Sequence, residues 1–314
     1  MSSKIKAMVT LVIIAPLLTE MVSGNTPAHA FLKPQIALFL LMAYGFPLLI
    51  IREFSLRRRL SKFGVFCLGL AYGIVNEGLL AQTLLRWEHV PIDKFDHYFY
   101  VAGFNLSWAL VIVPWHALFA VFFPLVLVAS WFPKCAKDLW LEKRSFAALT
   151  TTLVALLVFI PLARKPHPQM IVCMLTIAAF VFIASLFRNG GKPDEKGNYS
   201  RTVSFLLGMA AYPVLFLSPI ILAAKRVSAP VYFIAVPAIL ILLAVAGWRA
   251  GVLHLPGAAP LALGAYFSMS IFQLFGGIRH HSAEAVATGA FFASGFLVLA
   301  GRHPARLPGH EGVC

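Results

Sequence analysis

Apolar and polar positions alternate along this chain in long blocks, with apolar runs near residues 7–23, 35–51, 63–84, 102–131, 146–163, 168–187, 202–223, 229–248, 257–276 and 284–301. A helix needs roughly 17 to 25 predominantly apolar residues to cross a bilayer. The pattern therefore predicts an all-α fold, a polytopic integral membrane bundle of about ten transmembrane helices. The fourth run is longer than one crossing requires and holds Pro114 and Pro124, which predicts one tilted or kinked helix rather than two. Pro219 and Pro237 are expected to bend two later helices.

The first run has a second reading. Lys4 and Lys6, the apolar core and Ala28-His29-Ala30 resemble a signal peptide with its cleavage site. Pro16 and Glu20 lie inside the run, and a removed segment would have no use for a placed carboxyl, so a retained helix is the expectation. The turn-rich, charged stretch 188–198 divides the chain. It suggests a first group of six helices over 1–187, a loop at 188–201, a last group of four over 202–302 and a short tail at 303–314. No internal repeat supports an inverted-repeat transporter.

Composition sharpens the picture, because 60% of residues are hydrophobic and only 12% charged, against about a quarter charged in soluble domains. The net charge of +14 would suggest nucleic acid on a soluble chain. Here the basic residues fall in short loops, so no nucleic-acid partner is expected and the partner is the lipid bilayer. Placing 18 of the 26 Lys and Arg residues in the cytoplasm predicts a prokaryotic plasma-membrane protein with both termini cytoplasmic. The four cysteines are far apart and carry neither a disulfide framework nor a zinc spacing. Cys314, as the last residue, does not fit a prenylation signal. Nothing in the sequence fixes an oligomeric state.

Ionisable side chains inside a span are costly, and each is a candidate functional residue. Glu77 lies deep in the third run, Glu20 deep in the first and His116 near the middle of the fourth. Runs one and three leave the cytoplasm, so helical rise places Glu20 and Glu77 in the outer half; run four returns, which puts His116 near mid-membrane or just outside it, and all three can share one layer. On the third helix Gly69, Tyr72, Gly73, Asn76 and Thr83 form a stripe flanked by Glu77. Gly69-x-x-x-Gly73 lets a neighbouring backbone approach. On the fourth, Asn105, Trp108, Ile112, His116 and Phe119 form a matching stripe. Glu77 and His116 are the candidate catalytic residues, with Glu20, Asn76, Asn105 and Trp108 as candidate binding residues. The structural alternative is a buried Glu77 hydrogen-bonded to Asn105 or a backbone carbonyl, holding helices together.

Other polar groups have simpler expectations. Arg52 and Glu53 end the second run, where both can snorkel into water. Trp87, Trp108, Trp131 and Trp248 fit an interfacial belt. The loop 87–97 mixes carboxylates and imidazoles that can bind a divalent metal, but its spacing favours a solvated loop. His280 and His281 can complete a metal site with His116. Alternatively, Ser282 caps the last helix and Glu284 complements its dipole, which is the preferred expectation.

Ala15-Pro16 with Glu20 and Ser23-Gly24, then Leu49-Ile50-Ile51-Arg52-Glu53, Ala71-Tyr72-Gly73-Ile74-Val75-Asn76-Glu77-Gly78-Leu79, Asn105-Leu106-Ser107-Trp108 and His116-Ala117-Leu118-Phe119 resemble a family of uncharacterised prokaryotic polytopic membrane proteins. The resemblance covers about the first 135 residues. In that family two adjacent glutamates are usual at the central motif; here the first is Asn76. A more distant similarity is to the CPBP family, the CAAX-protease and bacteriocin-processing intramembrane proteins. Ala81 stands where their arginine belongs and Ile112 where their phenylalanine does. That resemblance implies a membrane-embedded hydrolase in which Glu77 activates water beside His116 and His280 or His281, with a divalent metal as its cofactor and a peptide or lipid-linked substrate. Two other functions fit the same residues: a small-molecule or ion transporter with protonatable Glu20, Glu77 and His116, and a non-catalytic scaffold or immunity protein.

Overall fold

The computed structural model describes residues 2–163, 167–188, 200–249 and 255–302. Most of the loop expected at 188–201, and the tail 303–314, lie outside the described residues. Helix α1 runs Ser3–Pro16 and continues as a wider turn, Leu17–Met21. Helices α2, α3 and α4 span Pro34–Arg58, Lys62–Leu80 and Leu106–Trp131. They are followed by α5, Lys143–Ala163, and α6, Met170–Leu186. The last group is α7, Arg201–Ala224, α8, Ala229–Arg249, α9, Leu255–Arg279, and α10, Ala283–Arg302. Among the described residues, seven helices are long and apolar enough to cross a membrane, short of the expected ten or so. Helix α6 has only 17 residues, and α1 carries Lys4, Lys6 and Glu20.

Local chemistry sets the helix ends. Ser2, Ser61, Asn105, Ser200 and Ser282 each accept a hydrogen bond from a backbone N–H of the first turn that follows, satisfying donors that a helix start leaves free. Ser282 thus caps α10 as expected. Helix α3 stops at Leu80, short of its apolar run, because the chain turns through a left-handed Gln82 at φ 60°. Helix α4 begins at Leu106 because the preceding residues form a small hairpin, β1 Tyr100–Val101 paired antiparallel with β2 Phe104–Asn105, turning at Gly103 with φ 81°.

Helix α4 is the central element, packing against α1, α3, α7, α8 and α9. Its contact with α3 is backbone to backbone: a Cβ on Gly69 would lie 2.7 Å from Ala117 Cα, and one on Gly73 would lie 2.9 Å from Val113 O. The α3 stripe therefore meets the neighbour it was expected to meet. Fully buried Ala7, Leu11 and Ala15 set α1 into the same bundle. Large apolar side chains such as Phe291, Ile234 and Ile171 point outward, as suits a surface facing lipid.

Arg52 and Glu53 correct the snorkelling expectation. Glu53 is fully buried and Arg52 nearly so, because the chain after α4 folds back over them. Arg52 Nη1 donates to Glu53 Oε1 at 2.6 Å, while its Nη2 reaches the carbonyls of Cys135, Ala136 and Asp138. Glu53 accepts the backbone N–H groups of Trp140 and Leu141. The guanidinium lies 3.2 Å from the centre of the Trp140 ring. Together they staple the 132–141 segment to α2.

The 81–105 connection covers one end of α3 and α4. Buried Phe95 packs on Trp108, Tyr98 donates its hydroxyl to Val227 O and Tyr100 to Leu85 O. Its rim is solvated: Lys94 Nζ lies 2.8 Å from Asp93 Oδ2 and holds that carboxyl below its usual range. His97 pairs with Asp96 and packs on Trp87.

Candidate functional site

Four helices widen where they carry their polar residues. Leu17–Met21 in α1 holds Glu20, Leu41–Gly45 in α2 holds Tyr44, Val75–Leu80 in α3 holds Asn76 and Glu77, and His116–Phe122 in α4 opens on His116; all four are π turns. Their closing bonds run back five residues, from Val22 N to Leu17 O, Phe46 N to Leu41 O, Ala81 N to Asn76 O and Phe123 N to Leu118 O. Such turns are rare and concentrate at functional sites.

Proline explains where three of them fall. Pro16 precedes the first, Pro47 follows the second, and Pro114 and Pro124 flank the fourth. A proline has no N–H for the carbonyl four residues back, and neighbouring helices use the acceptors so freed. Ala43 O, left without a donor by Pro47, accepts the Tyr72 hydroxyl at 2.7 Å. Phe119 O loses Phe123 N to Leu118 O and accepts the Tyr266 hydroxyl at 2.5 Å. Val12 O, opposite Pro16, lies 2.5 Å from where a Cβ on Gly45 would stand, so the second wide turn meets α1 at a glycine, one turn before the first. In α3 the released Glu77 carbonyl accepts Leu84 N at 3.1 Å and ties the cover back onto the helix end.

At the centre, His116 Nε2 lies 3.5 Å from Glu77 Oε1, both side chains nearly sealed from solvent. His116 Nδ1 is 3.0 Å from Ile112 O. A carbonyl only accepts, so Nδ1 carries hydrogen and the neutral ring keeps a lone pair at Nε2. That nitrogen is buried without a hydrogen-bond partner. Glu77 Oε2 accepts a hydrogen bond from the Thr83 hydroxyl, and Thr83 in turn accepts Trp108 Nε1–H at 3.0 Å. An indole only donates, so Trp108 donates to Thr83, whose own hydroxyl hydrogen is free to point at Glu77. Glu77 Oε1 is left facing the free nitrogen.

Aromatic rings join Glu20 to this pair. Its Oε1 accepts the Tyr44 hydroxyl and its Oε2 the Thr26 hydroxyl at 2.6 Å. The Tyr44 ring stacks along His116 with centroids 6.5 Å apart and planes within 12°, and Tyr72 lies 5.9 Å from the imidazole on a tilted plane.

The structure thus brings Glu20, Glu77 and His116 into one cluster, with Glu77 and His116 buried and Glu20 partly so. Asn76 lies beside it, donating from Nδ2 to the Tyr72 hydroxyl at 3.2 Å. Asn105 does not contact Glu77: its Oδ1 caps α4 through Trp108 N and holds Ser107, and its Nδ2 donates to Phe95 O. Trp108 is buried rather than interfacial. Tyr44 and Thr26 had no signal in the sequence beyond being polar; Tyr72 and Thr83 stood on the α3 stripe.

His280 and His281 do not join His116. They are exposed on the turn between α9 and α10, where the chain passes through a left-handed His281 at φ 55°, whereas His116 is enclosed by Tyr44, Tyr72 and Trp115. Glu284 pairs with His29, its Oε2 2.8 Å from Nδ1. Among the described residues no three His, Cys, Asp or Glu side chains gather as a metal site, which covers the 87–97 loop as well.

The sequence model of a family described as an uncharacterized membrane protein family matches residues 9–305. No curated protein and no solved structure matches the chain.

Proposed function

The chain belongs to that uncharacterized membrane protein family, and we propose that it is a membrane-embedded hydrolase working through Glu77 and His116. The observation that carries this is the partnerless His116 Nε2 facing Glu77 Oε1 at 3.5 Å. A carboxyl and an imidazole at that separation can share one proton, which is what general acid–base chemistry requires. With that proton on His116 Nε2, Glu77 is a carboxylate and takes a proton from water as the water oxygen bonds to a carbonyl carbon and the carbonyl π pair moves onto its oxygen. As the tetrahedral intermediate collapses, the proton goes to the leaving amine or alcohol, with His116 holding Glu77 in place. The substrate class is a peptide or lipid-linked acyl compound. The first six helices house the site and the last four support it through α4. The Lys and Arg distribution favours a prokaryotic plasma membrane with both termini in the cytoplasm.

A second function, proton-coupled transport, is favoured by one further observation: Glu20 is joined to His116 through Tyr44. Two carboxyls and one imidazole on three helices suit a proton path. Three substitutions separate these functions. In proteoliposomes with equal inserted protein, Glu77→Gln and His116→Ala are expected to lower hydrolysis of a peptide and acyl-lipid panel by about a hundredfold or more, while Glu20→Gln leaves it within a fewfold. Equal loss of solute flux in Glu20→Gln and Glu77→Gln, with no hydrolysis by wild type, would assign the site to transport. Wild-type behaviour in all three would make the cluster structural.

A further inference from the structure

Outside that cluster, among the described residues, four arginines gather at the end of α2 from which α3 departs. Arg57, Arg58, Arg59 and Arg188 line a cavity of about 420 Å³, within the size range of small-molecule sites. Two chain segments build it, and both are held. Arg59 turns the chain out of α2 at φ 52°. Leu60 then pairs antiparallel with Arg188, and Ser61 N donates to Phe187 O at 2.8 Å. Gly64 lets the end of α6 close in, since a Cβ there would lie 3.0 Å from both Ala184 O and Phe187 O.

Among the described residues, Glu53 is the carboxylate that meets these arginines, 3.5 Å from Arg57 Nη2, and its oxygens already serve Arg52, Trp140 N and Leu141 N. Arg57 is further fixed by Leu141 O and the Phe146 ring, and its Nε is buried without a hydrogen-bond partner. Cations in a last helical turn complement the helix dipole. That accounts for each arginine alone, but not for a cavity walled by guanidinium groups from two helices. Beside it, Phe63 and Phe187 pack edge to face at 4.7 Å and are 52% and 43% exposed, an apolar rim next to a cationic pocket.

We propose that Arg57, Arg58, Arg59 and Arg188 form a binding site for a phosphate-bearing anion. Guanidinium forks match phosphate oxygens in pairs, and basic pockets between membrane helices suit anionic headgroups. The phenylalanine rim gives acyl chains a surface to lie on, which favours a lipid headgroup over free phosphate.

The test uses the purified full chain in a neutral detergent with fluorescent short-chain phosphatidic acid, against phosphatidylcholine of the same chain length. Wild type is expected to bind the anionic lipid about tenfold or more tightly than the zwitterionic one. Arg58→Gln/Arg188→Gln is expected to lose that preference. Lys33→Gln/Lys94→Gln, which removes the same charge at the other end of α2 and α3, is expected to keep it. Arg188→Gln alone, at an exposed side chain, gives the reading should the double variant fail to fold. Inorganic phosphate as competitor identifies the source: displacement at comparable concentration assigns the site to free phosphate, and none at millimolar concentration assigns it to lipid. No preference for the anionic lipid in wild type, or an undiminished preference in the arginine variants, would overturn the proposal.

Discussion

Gly208→Ala, a single added methyl group, is expected to destabilise the protein by about 3 kcal/mol, the upper part of the range for overpacking a closed contact. A Cβ at Gly208 would collide with Leu261 O and stand 2.9 Å from Ala265 N, and Gly264 is placed reciprocally, its Cβ colliding with Phe205 O. Helices α7 and α9 therefore touch backbone to backbone, with a glycine on each side. Neither can retreat easily, because α9 is held from its other face by α10, where a Cβ on Gly289 would lie 2.7 Å from Leu274 N. Gly295 has open space around its Cβ direction, so Gly295→Ala supplies a control. It is expected to be neutral or slightly stabilising, since alanine is the better helix former. Thermal unfolding in detergent measures both. Equal midpoints for the two variants would show that α7 and α9 do not meet in this way.

The second large effect is expected at Glu53→Ala, about 3–5 kcal/mol, the range for breaking a buried ion pair from one side. Arg52 would remain in place with its charge uncompensated, and the N–H groups of Trp140 and Leu141 would lose their acceptors. Because the pair staples the 132–141 segment, the loss should show locally before it shows globally. Trypsin is expected to cut at Lys134 or Lys137 in the variant under conditions that leave wild type whole. The double variant Arg52→Met/Glu53→Leu is expected to cost less than the sum of the two single changes, as a coupled pair does. Strict additivity would mean that the two side chains act independently.

Sequence periodicity located the helices because the bilayer fixes how long an apolar run must be, and depth counting brought Glu20, Glu77 and His116 together because helical rise is constant. The α3 stripe led to α4 because small residues permit close approach. Three features escaped for physical reasons. Arg52 and Glu53 look like interfacial residues until a distant segment folds over them, and no local pattern announces that return. Gly208 and Gly264 lie far apart in sequence, and either alone resembles any glycine in an apolar helix. The prolines were expected to bend helices; that they help to widen them, releasing carbonyls to tyrosines on neighbouring helices, depends on which partner waits across the interface.

The wide turns have one more consequence, for helical phase. A π turn holds an extra residue, so the side-chain faces before and after it are offset from the pattern a uniform helix would give. The wide turn that starts at Val75 lies between Gly69 and the end of the helix, and deleting one residue within it would let it close to an ordinary α turn with the flanks nearly in place. Deleting one residue between Gly69 and Ile74, in the α-helical part, would instead rotate everything beyond it by about 100°, swinging a carboxyl away from His116 while leaving the composition and apolar length of the helix almost unchanged. In these four helices chain length between fixed points constrains the cluster as tightly as the identity of its side chains.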